Sequence, residues 1–269
     1  MNFVCPKCAK PLIEDGGSAK CINGHAFDRA KAGYYNLMLS SVGGTHGDNR
    51  EMVEARRAFL DTGAYKPLAD RVCALIAENI RGGLVLDIGC GEGYYTDIIE
   101  KSLSESGICA AVSAFDISRD AVKYAAKRNK RIELAVASAY RMPVADSSFD
   151  CAVNMFSPLA PCEVLRALKR GGIFVMAIPG VEHLFGLKAA AYDKPYKNTV
   201  ADSKIDGFEL VSEESVKYRI ALDSKDKIKS LFMMTPYAYR TGRVERERIL
   251  ALEKLETEVE FIIFVYKKL

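Results

Sequence analysis

Residues 84–95, LVLDIGCGEGYY, restrict the possible fold more than any other stretch of the chain. An apolar run rich in β-formers ends in Asp87 and passes into Gly89, Gly91 and Gly93, and a helical pattern follows. Glycine lets the backbone approach a ligand closely, where a Cβ atom would clash. The sequence therefore predicts the strand, glycine loop and helix that begin a nucleotide-binding, doubly wound sheet.

The residues of this loop also discriminate between nucleotide ligands. A dinucleotide fingerprint requires a glycine at the position that Tyr94 occupies, and the carboxylate of Asp87 would repel a pyrophosphate. The same carboxylate would attract an ammonium and a sulfonium, which favours S-adenosylmethionine. The alternative is that Asp87 only caps neighbouring backbone at the end of its strand.

The downstream residues repeat the alternation of strands and helices. A second strand ends in Asp116, the position from which an acidic residue can bind both ribose hydroxyls. A helix follows with Ser118 as its predicted N-cap, and after the third strand the backbone of Ser138 and Ala139 can meet the adenine edge. The alternative for Asp116, as for Asp87, is a backbone cap. This alternation favours a mostly parallel sheet with right-handed crossovers.

The C-terminal residues extend the predicted sheet. FELVSEESVKYRIAL, residues 208–222, alternates between apolar and polar side chains, and KDKIKSLFMM predicts a helix. The last apolar run, VEFIIFVYKK at 259–268, predicts a final strand. We expect this final strand to be the antiparallel edge strand that closes the sheet.

The N-terminal residues carry a metal-binding pattern. Cys5 and Cys8 form C-x2-C, and Cys21 and His25 follow as C-x3-H after twelve residues, with a Gly16-Gly17 turn signal between the pairs. Four nitrogen and sulfur ligands form a closed tetrahedral zinc site that leaves no position for substrate, which favours a structural zinc over a catalytic one. The alternative is a chance cluster of free thiols beside an unrelated histidine.

The overall composition is that of a globular protein, with 49% hydrophobic and 27% charged residues. The sequence lacks an apolar run of the roughly 18 residues that a membrane helix needs, and a basic segment followed by an apolar run is absent at its start. We therefore expect a cytoplasmic protein without a membrane partner. The other cysteines show no framework spacing and are predicted to be small buried hydrophobes: Cys73, Cys90, Cys109, Cys151 and Cys162.

Several further stretches, together with the metal and glycine motifs, resemble one known family. They are FDRAKAGYYNLM, EARRAFLDTGAYKPL, VLDIGCGEGYYT, PGVEHLFGLK and MTPYAYR, so the resemblance spans nearly the whole chain. The family is the bacterial 23S ribosomal RNA guanine-N1 methyltransferases. The resemblance implies a Rossmann-like class I methyltransferase fold, α/β with a mostly parallel seven-stranded sheet, and a small N-terminal zinc-binding module. It also implies S-adenosylmethionine as cofactor, a 23S rRNA hairpin as substrate and a homodimer.

The resemblance also implies roles for individual residues. Zinc would be held by Cys5, Cys8, Cys21 and His25, and the cofactor would be contacted by Tyr65, Gly91, Glu92 and His183. From pattern alone, Tyr65 would be interpreted as a residue at the edge of the core and His183 as a helix cap. The chain departs from the family at FSPL, residues 156–159, where the pattern expects something closer to Tyr-Ala-Pro. The sequence identifies no catalytic base and does not choose between two neighbouring target guanines.

Three regions follow from these motifs. Residues 1–40 are predicted to form a zinc-binding, RNA-recognition module, residues 41–82 a glycine-bearing linker with helices, and residues 83–269 the methyltransferase domain. Basic clusters are candidate RNA contacts, with solvated helix faces as the alternative: Arg50, Arg56 and Arg57, and Arg240, Arg243, Arg246 and Arg248. Two other functions are compatible with the sequence, a small-molecule methyltransferase with a structural zinc ribbon and a non-catalytic RNA-binding protein on a methyltransferase fold.

Overall fold

The computed structural model describes residues 1–39, 47–200 and 202–269. Residue 40 and the first six residues of the predicted linker region 41–82 therefore lie outside the described residues. Within the described ranges the strands form a small three-stranded sheet and a large eight-stranded sheet. No described helix is long and apolar enough to cross a membrane.

The small sheet belongs to the N-terminal residues. It is antiparallel and consists of β1 (Ile13–Asp15), β2 (Ser18–Lys20) and β3 (Ala26–Asp28). Gly16 and Gly17 join β1 to β2 with φ angles of 57° and 85°, the left-handed conformation that two-residue hairpin turns require at both central positions. The turn predicted at this glycine pair is therefore confirmed, and it joins the two strands of a hairpin.

The large sheet contains strands from the whole remaining length. Its strands are β4 (Tyr35–Asn36), β5 (Gly82–Ile88), β6 (Cys109–Asp116), β7 (Glu133–Val136), β8 (Phe149–Met155), β9 (Leu168–Pro179), β10 (Phe208–Leu222) and β11 (Leu255–Lys268). They lie in the order β10-β11-β9-β8-β5-β6-β7-β4, and β4 to β9 are mutually parallel. Strand β11 is antiparallel to both of its neighbours.

Helices connect these strands and cover the sheet. They are α1 (Arg50–Leu60), α2 (Lys66–Asn79), α3 (Tyr94–Glu105), α4 (Arg119–Arg128), α5 (Pro161–Ala167), α6 (Phe185–Ala191), α7 (Lys225–Met233), α8 (Tyr237–Arg240) and α9 (Arg243–Ala251). The Ser118 hydroxyl accepts a hydrogen bond from the Ala121 N–H, so the predicted N-cap of α4 is confirmed. The architecture is the predicted class I methyltransferase fold.

Strand β4 is an addition to the seven expected strands. It pairs in parallel with β7 through Tyr35 and Asn36, immediately after the small sheet. The Val4 N–H also donates to the Pro143 carbonyl at 2.8 Å, and Phe3 forms a bridge with Val144. The N-terminal residues therefore pack on the edge of the large sheet, and their hydrophobic core is continuous with that of the sheet.

The expected position of the last strand is wrong in one respect. Strand β11 is antiparallel, as predicted, but it lies between β9 and β10. The edge strand on this side of the large sheet is therefore β10. The side chains explain this order, because the run FIIFVY in β11 is buried nearly throughout, whereas β10 alternates between exposed and half-buried side chains. A strand with one solvated face suits the edge of a sheet.

Two of the five cysteines outside the metal-binding motif are not buried, contrary to expectation. Cys73, Cys90 and Cys151 are buried, as predicted, but Cys109 and Cys162 are exposed. Cys109 is the first residue of β6, and Cys162 lies in the first turn of α5. Both side chains stand at element ends, where the sheet and helix no longer cover them.

Candidate active site and metal centre

A cavity of about 700 Å³ lies at the carboxyl ends of β5, β6 and β8. This is the edge at which open α/β sheets bind their ligands. Seven of the predicted cofactor residues line the cavity: Tyr65, Asp87, Gly89, Gly91, Glu92, Asp116 and His183. Gly93, Ser138 and Ala139 do not line it, although Ser138 and Ala139 follow directly on β7, the neighbour of β6. Their contact with the adenine stays a prediction.

Glycine is needed at the three loop positions for different structural reasons. All have left-handed φ angles, of 76°, 56° and 85° for Gly89, Gly91 and Gly93. A Cβ atom on Gly89 would lie 2.4 Å from the Cβ of Ser157, and one on Gly93 would lie 2.8 Å from the Cβ of Ala125. These two glycines therefore permit close packing inside the protein. A Cβ on Gly91 would meet no atom nearer than 3.8 Å, so the backbone of Gly91 faces the cavity.

Asp87 presents an unsatisfied carboxylate to the cavity. The side chain is 1% exposed, and its Oδ2 accepts a hydrogen bond from the Thr96 hydroxyl at 2.5 Å. Its Oδ1 is buried and has no hydrogen-bond partner among the described residues. Burial raises the pKa of Asp87 to about 7. A buried acceptor of this kind fits a cationic donor such as an ammonium, because a charged partner would offset its desolvation.

Asp116 holds the glycine loop from the end of β6. Its Oδ2 accepts from the Gly91 N–H at 2.9 Å, and its Oδ1 accepts from the Ser118 N–H at 2.7 Å. The backbone-cap interpretation is therefore correct for Asp116, and the same side chain also lines the cavity. Each carboxylate oxygen has a second lone pair, so these two bonds still leave acceptor capacity for ribose hydroxyls.

Glu92 joins the glycine loop to two helices. Its carboxylate is buried and accepts from Arg128 Nε at 3.1 Å, and Arg128 also donates to Asp61 at 2.9 Å. Burial raises the pKa of Glu92, although the nearby guanidinium opposes that shift. The second oxygen of Glu92 lacks a partner in the described parts of the chain. The loop therefore carries a second buried acceptor next to the cavity.

Tyr65 and His183 are brought together although 118 residues separate them in sequence. The Tyr65 hydroxyl lies 3.4 Å from His183 Nε2, and His183 Nδ1 accepts from the Glu260 N–H at 3.4 Å. Burial lowers the pKa of His183 to about 3, so the imidazole is neutral. A neutral imidazole that accepts at Nδ1 carries its proton on Nε2. His183 therefore donates to the tyrosine oxygen, which leaves the Tyr65 O–H free to donate toward the cavity.

Arg56 is the cavity residue whose position differs most from its predicted role. Its guanidinium pairs with Asp48 and donates to the Met234 carbonyl at 3.3 Å. Arg50, Arg56 and Arg57 were predicted together as candidate RNA contacts or a solvated helix face. Arg50 pairs with Glu54 and Arg57 with Asp61, each four residues further along, as on a solvated face. Met234 lies 178 residues from Arg56 in the sequence, so no local pattern indicates that Arg56 reaches the cavity.

Several other cavity residues were not predicted from the sequence as ligand contacts. Asp48 precedes α1, and Phe156 belongs to the segment in which the chain departs from the family pattern. Neither has a motif of its own, and an alternation or spacing rule would not select them. The remaining cavity residues of interest, which the sequence did not single out as ligand contacts, are Tyr95, Met234 and Tyr237.

Two of the four arginines in the C-terminal basic cluster form ion pairs at the surface. Arg243 pairs with Glu247 and Arg248 with Asp193, at 2.8 and 2.7 Å. Arg246 donates to the sulfur of Met233 at 3.6 Å. The two ion pairs agree with the solvated-helix alternative for α9, and RNA contact by this cluster stays a prediction.

The four predicted zinc ligands converge at one point. The ligand atoms of Cys5, Cys8, Cys21 and His25 all lie within 4.8 Å of one another. The Cys8 and Cys21 sulfurs are 3.7 Å apart, and His25 Nδ1 is 3.4 Å from both the Cys5 and the Cys21 sulfur. A tetrahedron with bonds of about 2.3 Å has edges of about 3.8 Å, so this donor set fits zinc. Three thiolates and one imidazole leave no coordination position for a substrate.

Comparison with known proteins agrees with both parts of the chain. A model of the methyltransferase domain matches residues 85–172, and a model of the N-terminal zinc ribbon of RlmA matches residues 3–39. The 23S rRNA (guanine(748)-N(1))-methyltransferase of Streptomyces fradiae is 31% identical, and the match covers 92% of this chain and 89% of that protein.

Two further relatives are named for the same class of methyltransferase. YxjB of Bacillus subtilis is 30% identical over 95% of this chain and 92% of its own length. A protein of Micromonospora griseorubida is 30% identical over 88% of this chain and 86% of its own length. All three matches span most of both chains. The chain belongs to the family of S-adenosylmethionine-dependent, zinc-containing 23S rRNA guanine-N1 methyltransferases.

Proposed function

We propose that this protein transfers a methyl group from S-adenosylmethionine to N1 of a guanine in a hairpin loop of 23S ribosomal RNA. The observation that carries the proposal is the unpartnered Oδ1 of the Asp87 carboxylate, a side chain that lines the same cavity as Gly91. The printed names of the relatives support the choice of RNA and of guanine N1.

Different cavity residues would bind different parts of the cofactor. Asp87 would bind the ammonium, Asp116 the ribose hydroxyls, and the free Tyr65 O–H an acceptor on the methionine side. Glu92, Gly89, Gly91 and His183 would line the same site, Gly93 would hold the loop in place, and Ser138 and Ala139 would meet the adenine. S-adenosylmethionine supplies an activated methyl group on a sulfonium, so the leaving group is a neutral thioether. The protein therefore contributes position and electrostatics rather than protonation of a leaving group.

The carboxylate of the cofactor also needs a cationic partner, and we assign that role to Arg56. Four acids line the cavity: Asp48, Asp87, Glu92 and Asp116. Within the described parts of the chain Arg56 is the sole Lys or Arg that lines it. A guanidinium has five donors in a planar fork, so Arg56 can keep Asp48 and Met234 while binding a further carboxylate.

Arg56→Met is expected to raise the dissociation constant for S-adenosylmethionine about 10- to 100-fold, because the cofactor carboxylate would lose its cation in a cavity of acids. Isothermal titration calorimetry measures this effect. Arg57→Met is the matched control, because Arg57 pairs with Asp61 and lies over the Tyr124 ring. Equal effects of the two substitutions would contradict the assignment.

The N-terminal module and the rest of the chain would have different roles, RNA recognition and cofactor binding. Cys5, Cys8, Cys21 and His25 would hold a structural zinc within a module of residues 1–40 that helps to recognise the RNA hairpin. Residues 41–82 would contribute Arg56 and Tyr65 to the cofactor site of the domain formed by residues 83–269. We also propose a homodimer with an RNA-binding cleft, which sedimentation velocity can test, and a cytoplasmic location, where ribosomes are assembled.

Transfer of tritium from labelled S-adenosylmethionine to unmodified 23S rRNA tests the proposed function. We expect label in the RNA, and primer extension should stop at one guanine of the hairpin loop and so identify the base. Label in a metabolite extract but not in RNA would indicate a small-molecule methyltransferase. Cofactor binding without transfer to either would indicate a non-catalytic protein on this fold.

A further inference from the structure

Phe156 combines an exposed apolar ring, a place in the cavity wall and an unusual backbone conformation. It follows β8, lines the cavity and is 39% exposed, although its side chain is a large apolar ring. Its φ angle is 61°, in the left-handed region that bulky residues avoid. Backbone strain of this kind persists only where the surrounding structure enforces it, and such positions concentrate at functional sites.

The surroundings of Phe156 do enforce its conformation. The buried Asn154 side chain donates to the Ser157 hydroxyl at 2.8 Å, and that hydroxyl donates to the Ile88 carbonyl at 2.8 Å. The Phe156 N–H donates to the Ala177 carbonyl at 3.1 Å. The turn is therefore fixed to the ends of both neighbouring strands, β5 and β9.

The fixed turn places the ring on a particular side of the cavity. The Phe156 ring lies 6.0 Å from the Tyr95 ring and 5.6 Å from the Phe261 ring, and both of those residues are buried. Ser157, the next residue, packs directly on Gly89 of the glycine loop. Phe156 therefore presents a partly exposed aromatic surface next to the residue that packs on the cofactor-binding loop.

We propose that Phe156 is the platform on which the acceptor base stacks when it enters the cavity. Every nucleobase has a π face that stacks on an aromatic side chain, and a base that leaves its helix needs such a surface. The cofactor adenine is not the ligand of this ring, because Asp116 and Ser138 lie beyond β5 on the β6 and β7 side, whereas Phe156 follows β8. This inference rests on the proposed RNA substrate.

Three substitutions test the platform. Phe156→Tyr keeps the ring and should keep RNA methylation within about threefold of wild type. Phe156→Leu keeps apolar bulk but removes the π face, and should raise KM for RNA about 10- to 100-fold. The dissociation constant for S-adenosylmethionine, measured by calorimetry, should stay within about twofold for both variants. An unchanged KM for Phe156→Leu, or an equal loss of RNA and cofactor binding, would overturn the platform.

Phe156→Gly separates stacking from a structural role. Glycine adopts the left-handed conformation without strain but removes the ring that packs on Tyr95 and Phe261, so RNA methylation should be lost while the dissociation constant for S-adenosylmethionine stays within about twofold. Loss of cofactor binding together with methylation would assign the ring to packing of the cavity and overturn the proposal. Wild-type protein measured beside the variants separates failure of the platform from failure of the proposed function. If wild type transfers no methyl group to RNA, both are overturned. If wild type and all Phe156 variants transfer it equally, only the platform is overturned.

Discussion

Asp87→Asn is expected to weaken S-adenosylmethionine binding about 100- to 1,000-fold and, in the same protein, to raise the stability of the ligand-free form above pH 7. The first effect arises because a neutral amide cannot offset the charge of a buried ammonium. The second arises because the folded ligand-free protein buries a carboxylate with one oxygen unsatisfied among the described residues. A residue whose only role was to cap the backbone would not show opposite effects on binding and stability.

The sign of the pH dependence follows from the raised pKa of Asp87. Its folded pKa is about 7 and its ordinary value is 3.8, so between these values the folded state holds a proton that the unfolded state has released. The contribution of Asp87 to the free energy of unfolding therefore falls as pH rises from about 4 to 7 and is constant above pH 7. The complete effect is on the order of 4 kcal/mol. Asparagine removes this term but leaves an amide to be satisfied, so we expect a net gain of roughly 1–3 kcal/mol at pH 8.

Calorimetric titration and thermal unfolding, each at several pH values, measure both effects. The wild-type dissociation constant for S-adenosylmethionine should rise about tenfold for each pH unit below 7, because protonation of Asp87 removes the anion, while that of Asp87→Asn should stay flat. Asp97→Asn is the matched control. Asp97 is also buried, but its carboxylate is satisfied by Lys101 and Asn129 at 2.9 and 3.0 Å. This control should lose stability and keep its cofactor affinity, and the opposite pattern would contradict the role of Asp87.

Loss of the zinc site is expected to reduce RNA methylation more than 100-fold while cofactor affinity falls no more than about fivefold. Cys8→Ala removes one of four ligands, and structural zinc sites supply folding free energy to the small modules that contain them. The structure also predicts a side effect, because Arg141 donates to the Pro6 carbonyl at 3.2 Å and follows closely on Ser138 and Ala139. Disorder of the N-terminal residues should therefore loosen the adenine side of the cavity slightly.

Three measurements on one preparation test the zinc prediction. Metal content should fall from one zinc per chain to none, the thermal midpoint should fall because Phe3 and Leu12 share a core with Leu86 and Phe115, and label transfer to RNA should be lost. Cys109→Ala is the control, because this thiol is exposed and distant in sequence from the ligands. Equal loss of RNA methylation and of S-adenosylmethionine binding in Cys8→Ala would contradict the proposed division of work.

Features that depend on a few neighbouring residues were predictable. The glycine pair at 16–17 produces a hairpin, Ser118 caps α4, and the apolar run that ends in Asp87 becomes β5. The spacing of the four metal ligands was sufficient to bring them together. In each of these cases the determining interaction acts within one turn, one strand or one short loop, and the order of residues alone encodes it.

Features that depend on distant residues were not predictable in this way. Sequence placed β11 at the edge of the sheet, but the edge is β10, because burial on both faces is decided by which elements cover a strand. Arg56 was predicted only as a member of a basic cluster, either an RNA contact or part of a solvated face, and its contacts with Met234 and Asp48 hold it at the cavity. The strain at Phe156 likewise exists only because Asn154 and Ser157 hold the turn.

The sequence by itself therefore determined the class of fold, the zinc ligands and the position of the cofactor loop, because local backbone preference and ligand spacing are short-range properties. The tertiary structure alone decided which charges meet in the cavity and which tautomer His183 adopts. It also decided how the N-terminal residues pack on the large sheet through β4. Desolvation and hydrogen-bond geometry depend on every element that surrounds a group, and only the folded chain brings those elements together.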